Sequence, residues 1–245
     1  MTNIQSVSVY VSLALLSFFL ADCAERKDSR KSVWLIVISL SLIAGLRNTS
    51  VGIDTQTYFE AFDLISDGKF GEIYGIERGY IYLSAFLLRV WDNNRFLFFT
   101  YAFISHALII FRIWSEREYI SFKWSVLSYY IMFYAFSLNG MRQFLAAAIV
   151  IYATTFLKDG KYARFVLYTA IAILIHTSAF IGIAYLLFEV LFLRYFNKRR
   201  KQKAVLFFGL LCIIIFATAP IIIDRYIGYI EKTHPSVGIM VSVKI

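Results

Sequence analysis

Long apolar runs are the sequence feature that most constrains the fold of this chain. Two of them, "VYVSLALLSFFLA" (9–21) and "AVLFFGLLCIIIFATAPIII" (204–223), approach the ~20 residues that cross the hydrocarbon core of a bilayer. Of the 245 residues, 60% are hydrophobic and 17% are charged; in an average soluble domain about a quarter are charged. The sequence therefore predicts an all-α, polytopic membrane protein that forms a single membrane domain over residues 1–245.

The net charge of +9 and the two cysteines add little to this assignment. In so apolar a chain, basic loops that face anionic lipid explain the charge better than nucleic acid does, and no nucleic-acid partner is expected. Cys23 and Cys212 show neither a disulfide framework nor metal-ligand spacing, so no metal or cofactor is expected. The start "MTNIQSVSVY" lacks a basic region before the first apolar run, which favours a retained span over a cleaved signal peptide.

Loops rich in lysine and arginine orient the spans. The strongest cluster, "RYFNKRRKQK" (194–203), is placed in the cytoplasm, and counting spans backwards places loops 158–164 and 112–123 there too. The first basic loop, "ERKDSRK" (25–31), joins them only if segment 79–91 does not cross. The candidate apolar segments are 4–21, 33–46, 79–91, 96–114, 125–138, 142–157, 164–176, 177–193 and 204–223.

This orientation predicts eight transmembrane helices with both termini outside and a re-entrant or in-plane helix at 79–91. That helix belongs to an extracytoplasmic loop over residues 47–95, which also contains a short amphipathic helix. Asp54 or Thr55 is expected to cap the amphipathic helix. The orientation also places a set of polar residues at the outer ends of spans or in the outer loop: Arg47, Asp54, Glu77, Arg78, Asn139, Arg142, Gln143 and His176.

Arg142 is the most unusual of these polar residues. It lies in the first turn of an apolar helix in "SLNGMRQFLAAAIV" (137–150), where the helix dipole disfavours a cation and lipid makes an unpaired charge costly. A guanidinium beside the free N–H groups of a helix start is a phosphate site. We therefore expect an anionic ligand at Arg142.

The other polar residues have structural explanations that stay open. Arg47 is explained equally well as an arginine that extends to the membrane interface, and Asp54 is better explained as a helix cap than as a catalytic residue. Glu77 in "YGIERGY" is either a local partner of Arg78 or a general base, and His176 is either a helix-end residue or a base. His106 is assigned to helix packing. No nucleotide-binding loop, metal-ligand cluster or serine nucleophile motif occurs in the sequence.

Four stretches in order resemble the EpsG-like branch of polysaccharide polymerases, which is related to the O-antigen polymerase Wzy. They are "GLRNTSVGIDTQTYFEAF", "IERGYIYL", "NGMRQFLAAAIVIYA" and "IHTSAFI", and they are distributed over roughly residues 45 to 182. The family is usually longer than this chain, so a short member, a truncated sequence and a disrupted gene product stay open. The positions that match are Arg47, Gly52, Asp54, Tyr58, Glu77, Gly79, Tyr80, Arg142, Gln143, His176 and Ser178.

The resemblance implies a bacterial inner-membrane glycosyltransferase that joins repeat units carried on undecaprenyl diphosphate at the periplasmic face. Its product is O-antigen, capsule or exopolysaccharide, and a chain-length regulator is a candidate partner. Arg142, with Arg47, is expected to hold the diphosphate. The acceptor hydroxyl loses its proton to His176 or Glu77, with His176 slightly preferred and Asp54 a third candidate. The remaining candidate substrate-binding residues are Gln143, Tyr58, Tyr80, Ser178 and Asn139.

Three other functions compete with this interpretation. A flippase or exporter for lipid-linked glycan would also place arginines at broken helices, although no symmetry between the two halves of the chain supports it. A polysaccharide O-acyltransferase would use His176 as its base. A structural membrane subunit is the third alternative, and the concentration of polar residues on one face disfavours it.

Overall fold

Every regular element that the structure describes is helical. The structure is a computed structural model that describes residues 3–52 and 54–190, so the predicted span 204–223 and the basic cluster 194–203 lie outside the described residues. The α-helices are α1 (Asn3–Lys27), α2 (Arg30–Leu46), α3 (Thr55–Ser66), α4 (Arg78–Val90), α5 (Asn94–Trp114), α6 (Phe122–Tyr129), α7 (Ala135–Asn139), α8 (Met141–Lys158), α9 (Tyr162–Ile175) and α10 (Ile181–Phe188).

Three shorter elements complete this set. Phe70–Glu72 and Thr177–Phe180 are 3₁₀ turns, and Tyr130–Tyr134 is a π turn that joins α6 to α7. The chain divides into two compact units, Met1–Ala184 and Tyr185–Ile245, and the architecture below is that of the first. The predicted interruption at "IHTSAF" is confirmed, because α9 ends at Ile175 and His176 has extended backbone.

One end of the helix bundle holds a network of charged side chains, and we call it the charged end. Lys123, just after the start of α6, lies 2.6 Å from Asp22 near the end of α1. Arg117, just after α5, lies 3.1 Å from Asp28. Glu116 pairs with both Arg112 on α5 and Lys158 at the end of α8. Three of the four basic loops that the sequence assigned to one side of a membrane, 25–31, 112–123 and 158–164, therefore meet at one end of the bundle.

The opposite end, which we call the site end, joins the other helix termini. Arg95 in the first turn of α5 donates to the carbonyls of Leu46 and Arg47 at the end of α2, at 3.2 Å in both cases. Arg47 also donates to the Leu138 carbonyl in α7 at 3.0 Å. The long helices thus run alternately between the two ends. The segment between α2 and α5 leaves and returns at the same end.

Close backbone approach sets two of the helix contacts. A Cβ on Gly45 would lie 2.7 Å from Cβ of Phe99, so α2 and α5 pack at a distance that only glycine permits. A Cβ on Gly79 would lie 2.3 Å from the Leu174 carbonyl oxygen, so the start of α4 sits directly against the end of α9. The second contact brings the outer segment to the interruption at His176.

By helix length, fewer helices could cross a membrane than the eight that the sequence predicts. By length and composition, two helices in the described ranges could cross a membrane, Val7–Lys27 and Asn94–Trp114. At 1.5 Å per residue, the 14 residues of α9 and the 13 of α4 are shorter than the ~30 Å hydrocarbon core. The number of eight spans is therefore not confirmed. Because α4 and α9 are almost equally short, length does not distinguish the predicted in-plane helix from a predicted span.

The Gly79–Leu174 contact gives a stability prediction. Gly79→Ala forces the new methyl group against a backbone carbonyl, and overpacking of this kind costs about 1–3 kcal/mol. We expect a lower midpoint of thermal unfolding for the purified variant in detergent. Gly71→Ala is the matched control, because a Cβ at Gly71 meets nothing within 4 Å. Equal midpoints for the two variants would contradict the close packing of α4 on α9.

Candidate functional site

An ion pair between Arg142 and Glu77 is the centre of the polar cluster at the site end. Arg142 Nη1 lies 2.5 Å from Glu77 Oε2, and the two side chains keep only 17% and 20% of their exposure, so the pair is largely shielded from water. Nη1 also donates to the Gly75 carbonyl at 3.1 Å, and Nε donates to the Tyr58 hydroxyl at 3.4 Å. The anion that the sequence predicted for Arg142 is thus supplied within the chain. Arg142 Nη2 has no hydrogen-bond partner in the part of the chain that the structure describes.

The second oxygen of Glu77 contacts the interruption after α9. Glu77 Oε1 accepts a hydrogen bond from the Thr177 N–H at 3.1 Å and lies 3.9 Å from His176 Nε2. Glu77 is the residue before α4, and its side chain does not cap that helix. The expected local partner, Arg78, makes no ion pair with it in the described structure. One carboxylate therefore connects the starts of α4 and α8 to the end of α9.

The hydrogen bonds of His176 determine the tautomer of its neutral ring. Nδ1 accepts from the Ser178 N–H at 3.1 Å, and the Ser178 hydroxyl lies 2.8 Å from the same nitrogen. A nitrogen that accepts from an N–H carries no proton, so in the neutral ring the proton is on Nε2, which faces Glu77. Nδ1 therefore already has a partner, and Nε2 carries the proton of the neutral ring. In this arrangement His176 offers no free lone pair to a substrate.

Glu77 is ionised at neutral pH. Burial alone raises the pKa of its carboxyl group, but the N–H of Thr177, its own backbone N–H and the positive charge of Arg142 outweigh burial and hold the pKa below its usual value. A carboxylate with this many donors is a weak base while the donors remain in place. Removing Arg142 from it would make it a stronger base.

Two aromatic side chains, Tyr58 and Tyr80, lie close to the Arg142 guanidinium. The rings of Tyr58 and Tyr80 lie 5.8 Å and 6.0 Å from its guanidinium carbon, which is close enough for a cation–π attraction. Tyr80 is fully buried and stacks on Tyr101 with ring centroids 4.8 Å apart, and Tyr58 is also buried. Both tyrosines were predicted to bind substrate. Their burial instead gives them the role of supporting the guanidinium from below.

Arg47 lies in a buried position within the protein, and its predicted contact with the diphosphate stays a prediction. Its side chain is buried, and its guanidinium carbon lies 4.4 Å from the centre of the Phe98 ring. The guanidinium donates to the Thr55 hydroxyl at 3.3 Å, to the Ala44 carbonyl at 2.6 Å and to the Leu138 carbonyl at 3.0 Å. All three nitrogens are thus engaged within the protein. The alternative of an arginine that extends to the membrane interface is wrong for the same reason.

The remaining predicted residues lie at the site end with different surroundings. Asp54 takes the N-cap position of α3 as predicted, but it is exposed and its side chain makes no capping hydrogen bond; the other candidate, Thr55, begins the helix and donates its hydroxyl to the Val51 carbonyl. Gln143 is exposed on the turn that carries Arg142, and the Asn139 side chain donates to the Ala135 carbonyl at 3.0 Å. Across the described ranges, no group of three or more His, Cys, Asp or Glu side chains could hold a metal ion. His106 packs in the core as expected, with Nδ1 2.6 Å from the Tyr129 hydroxyl.

Two groups of the site were not predicted from the sequence, and both are backbone atoms. The Gly75 carbonyl contacts Arg142, and the Thr177 N–H contacts Glu77. Backbone atoms have no side-chain signature. The available signal was the glycine itself, since Gly75 has a φ of 70° that favours glycine and marks a turn just before Glu77.

Comparison with known proteins gives one match. Residues 31–243 match the model of the EpsG family. No curated protein and no solved structure gives a significant match to the chain. The matched range contains every residue of the cluster described above.

The depressed pKa of Glu77 predicts how stability depends on pH. The ion pair stabilises the fold fully above the ordinary glutamate pKa of ~4.3, and the stabilisation is lost as pH falls through the lower pKa of the folded state. Glu77→Gln should therefore lower the midpoint of thermal unfolding at pH 7, and the difference from the parent should shrink below about pH 4. Glu72→Gln, an exposed change in the same outer segment, is the control. A difference that stays constant with pH would contradict the ionised pair.

Proposed function

The chain belongs to the EpsG family, and on that premise we propose that it is a polysaccharide polymerase. It joins repeat units carried on undecaprenyl diphosphate, at the periplasmic face of the bacterial inner membrane, to build O-antigen, capsule or exopolysaccharide. The family and the apolar helices indicate a membrane protein. The observation that carries the proposal is the Arg142–Glu77–His176 cluster, which places an anion-binding cation beside a carboxylate at one end of the bundle.

The proposed orientation follows from the two ends of the bundle. The charged end contains the basic loops 25–31, 112–123 and 158–164, which we assign to the cytoplasm because short loops rich in lysine and arginine stay there. The site end then faces the periplasm, and residues 47–95 form the outer loop with α3 and α4. The Arg95 contacts at the end of α2 support a segment that returns without crossing. Eight spans remain part of the proposal.

The diphosphate of the donor binds at Arg142 by displacing Glu77. In the resting protein the Glu77 carboxylate occupies Nη1, and Nη2 lacks a protein partner in the described ranges. A diphosphate carries more negative charge than one carboxylate and can also use the free N–H groups at the start of α8. Arg142 would then stabilise the charge that develops as the diphosphate leaves.

Displacement also prepares the base. Once Arg142 has turned to the diphosphate, Glu77 loses a cation that depressed its pKa and becomes a better proton acceptor. The acceptor hydroxyl oxygen forms a bond to the anomeric carbon of the donor, the bond from that carbon to the diphosphate oxygen breaks, and the hydroxyl proton passes to Glu77. We propose Glu77 rather than His176 as the base, because Nδ1 of His176 already accepts from the Ser178 N–H and Nε2 carries the proton of the neutral ring. His176 positions Glu77.

The proposed partners are lipid-linked oligosaccharides and the bilayer, with a chain-length regulator as a further candidate. A lipid-linked glycan flippase is the alternative, because it would bind the same diphosphate. A carboxylate aimed at the same guanidinium favours the polymerase, since transport of the lipid needs no proton acceptor. An O-acyltransferase with His176 as its base is disfavoured because Nδ1 of the ring is engaged and Nε2 carries the proton.

The length of surface glycan tests the proposed function. In a strain that lacks this gene, the parent chain should restore long glycan, and Arg142→Ala should give single-repeat glycan because loss of one such donor costs ~10²–10³ in rate. Glycan length is read after electrophoretic separation, at matched expression. Arg89→Ala, a change of an exposed arginine on α4, is the control and should polymerise normally.

Two outcomes would contradict this proposal in different ways. Normal polymerisation by Arg142→Ala would show that the site is assigned wrongly. Loss of all surface glycan in the deleted strain, with lipid-linked units retained on the cytoplasmic side, would indicate the flippase.

Cysteine labelling tests the orientation. In a chain without Cys23 and Cys212, a cysteine at Ser66 should react with a membrane-impermeant thiol reagent in intact spheroplasts, because it lies at the site end. A cysteine at Lys161 should react only after permeabilisation. Reaction of both from the same side would contradict the non-crossing segment.

A further inference from the structure

A cavity of about 340 Å³ lies in the outer segment, and the residues on both sides of Glu77 in the sequence, Ile76 and Arg78, are part of its lining. Phe70, Tyr74 and Tyr82 supply aromatic rings to its lining, and Arg78 supplies a guanidinium. The diphosphate mechanism above uses none of these four residues. Their chemistry is that of a site for a ligand with both an apolar face and polar edges.

Arg78 is available because Glu77 pairs elsewhere. The carboxylate next to it in sequence contacts Arg142 and Thr177 instead. Arg78 is exposed and makes no ion pair or hydrogen bond in the described part of the chain. Its guanidinium presents five N–H donors that can bind hydroxyl groups.

The aromatic side chains of the cavity face away from the bundle. Tyr74, which precedes α4, is 86% exposed, and Tyr82 on α4 is 63% exposed. Tyr80 and Ser84, on the other face of α4, are fully buried. The helix thus places one set of side chains in the core and leaves a second set for contacts outside it. Exposed tyrosines provide flat apolar faces with little loss of side-chain freedom on binding.

The cavity is tied to the ion pair through the backbone. Arg142 Nη1 donates to the Gly75 carbonyl at 3.1 Å, and Gly75 directly follows Tyr74. Glu77 is the third residue after Tyr74, so their Cα atoms lie within ~11 Å even in a fully extended chain. A ligand whose phosphate lies at Arg142 therefore has its neighbouring groups within reach of Tyr74 and Arg78.

We propose that this cavity binds a pyranose ring of the lipid-linked repeat unit. The C–H face of the ring packs on Tyr74, and ring hydroxyls accept hydrogen bonds from Arg78. The inference rests on the proposed function, because the lipid diphosphate at Arg142 is what brings the sugar to the cavity. These residues then select which repeat unit is joined, while Arg142 and Glu77 perform the transfer.

Steady-state kinetics test this glycan subsite. The full chain is reconstituted in liposomes with lipid-linked repeat units purified from the host strain. Tyr74→Ala and Arg78→Gln should each raise KM roughly tenfold and leave kcat within about twofold of the parent. Tyr119→Ala is the matched control, since Tyr119 is 81% exposed in the loop at the charged end. Unchanged KM values in both test variants would overturn the subsite.

A binding measurement separates the subsite from the proposed function. The probe is the repeat-unit oligosaccharide released from its carrier by mild acid, and saturation-transfer NMR reports its contact with the purified full chain. Arg142→Ala should keep the signal although it does not polymerise, and Tyr74→Ala should lose it. Retention of the signal by Tyr74→Ala would overturn the subsite alone, whereas failure of the parent chain to polymerise would overturn the proposed function.

Interface anchoring is the other explanation for exposed tyrosines and an arginine, because such residues gather at membrane surfaces. It predicts that Tyr74→Ala lowers the amount of protein extracted from washed membranes without changing KM or the NMR signal. That result would overturn the subsite. The glycan subsite predicts equal membrane content for Tyr74→Ala and Tyr119→Ala.

Discussion

The ion pair between Arg142 and Glu77 is the contact on which the site end depends. It connects α8, the segment before α4 and, through the Thr177 N–H, the end of α9. Removal of one partner would leave the other charge largely shielded and unpaired, which is far costlier than loss of an exposed pair. In the proposed mechanism the same pair holds the diphosphate-binding cation and the base, so stability and the proposed chemistry depend on one interaction.

The rest of the bundle keeps this pair in position. Arg47 joins α2, the start of α3 and α7 by donating three hydrogen bonds. The buried rings of Tyr58 and Tyr80 pack against the Arg142 guanidinium. The charged end has its own ion pairs, and it is the opposite end of the bundle from the site. A cation that is costly in the first turn of an apolar helix is therefore compensated by the Glu77 carboxylate and by the rings of Tyr58 and Tyr80.

Sequence reasoning found the helices and the site end but not the contacts. The interruption at His176 and the position of Arg142 were predictable, because helix breaks and charges in apolar runs are local signals. The partner of Arg142 lies 65 residues away, and no local signal selects it. The expected Glu77–Arg78 pair is absent because Arg78 begins α4, and adjacent residues on a helix do not face each other. The burial of Arg47 and Tyr80 depends on packing with distant helices, which residue type alone does not reveal.

Direct binding of a polyprenyl diphosphate tests the central claim that Glu77 occupies the diphosphate position on Arg142. The purified chain, Glu77→Gln and Arg142→Ala are titrated with a short-chain polyprenyl diphosphate at neutral pH and low salt. If the carboxylate competes with the ligand, Glu77→Gln binds severalfold more tightly than the parent, and Arg142→Ala binds more weakly. Equal or weaker binding by Glu77→Gln would contradict the claim that the resting ion pair gives way to the substrate.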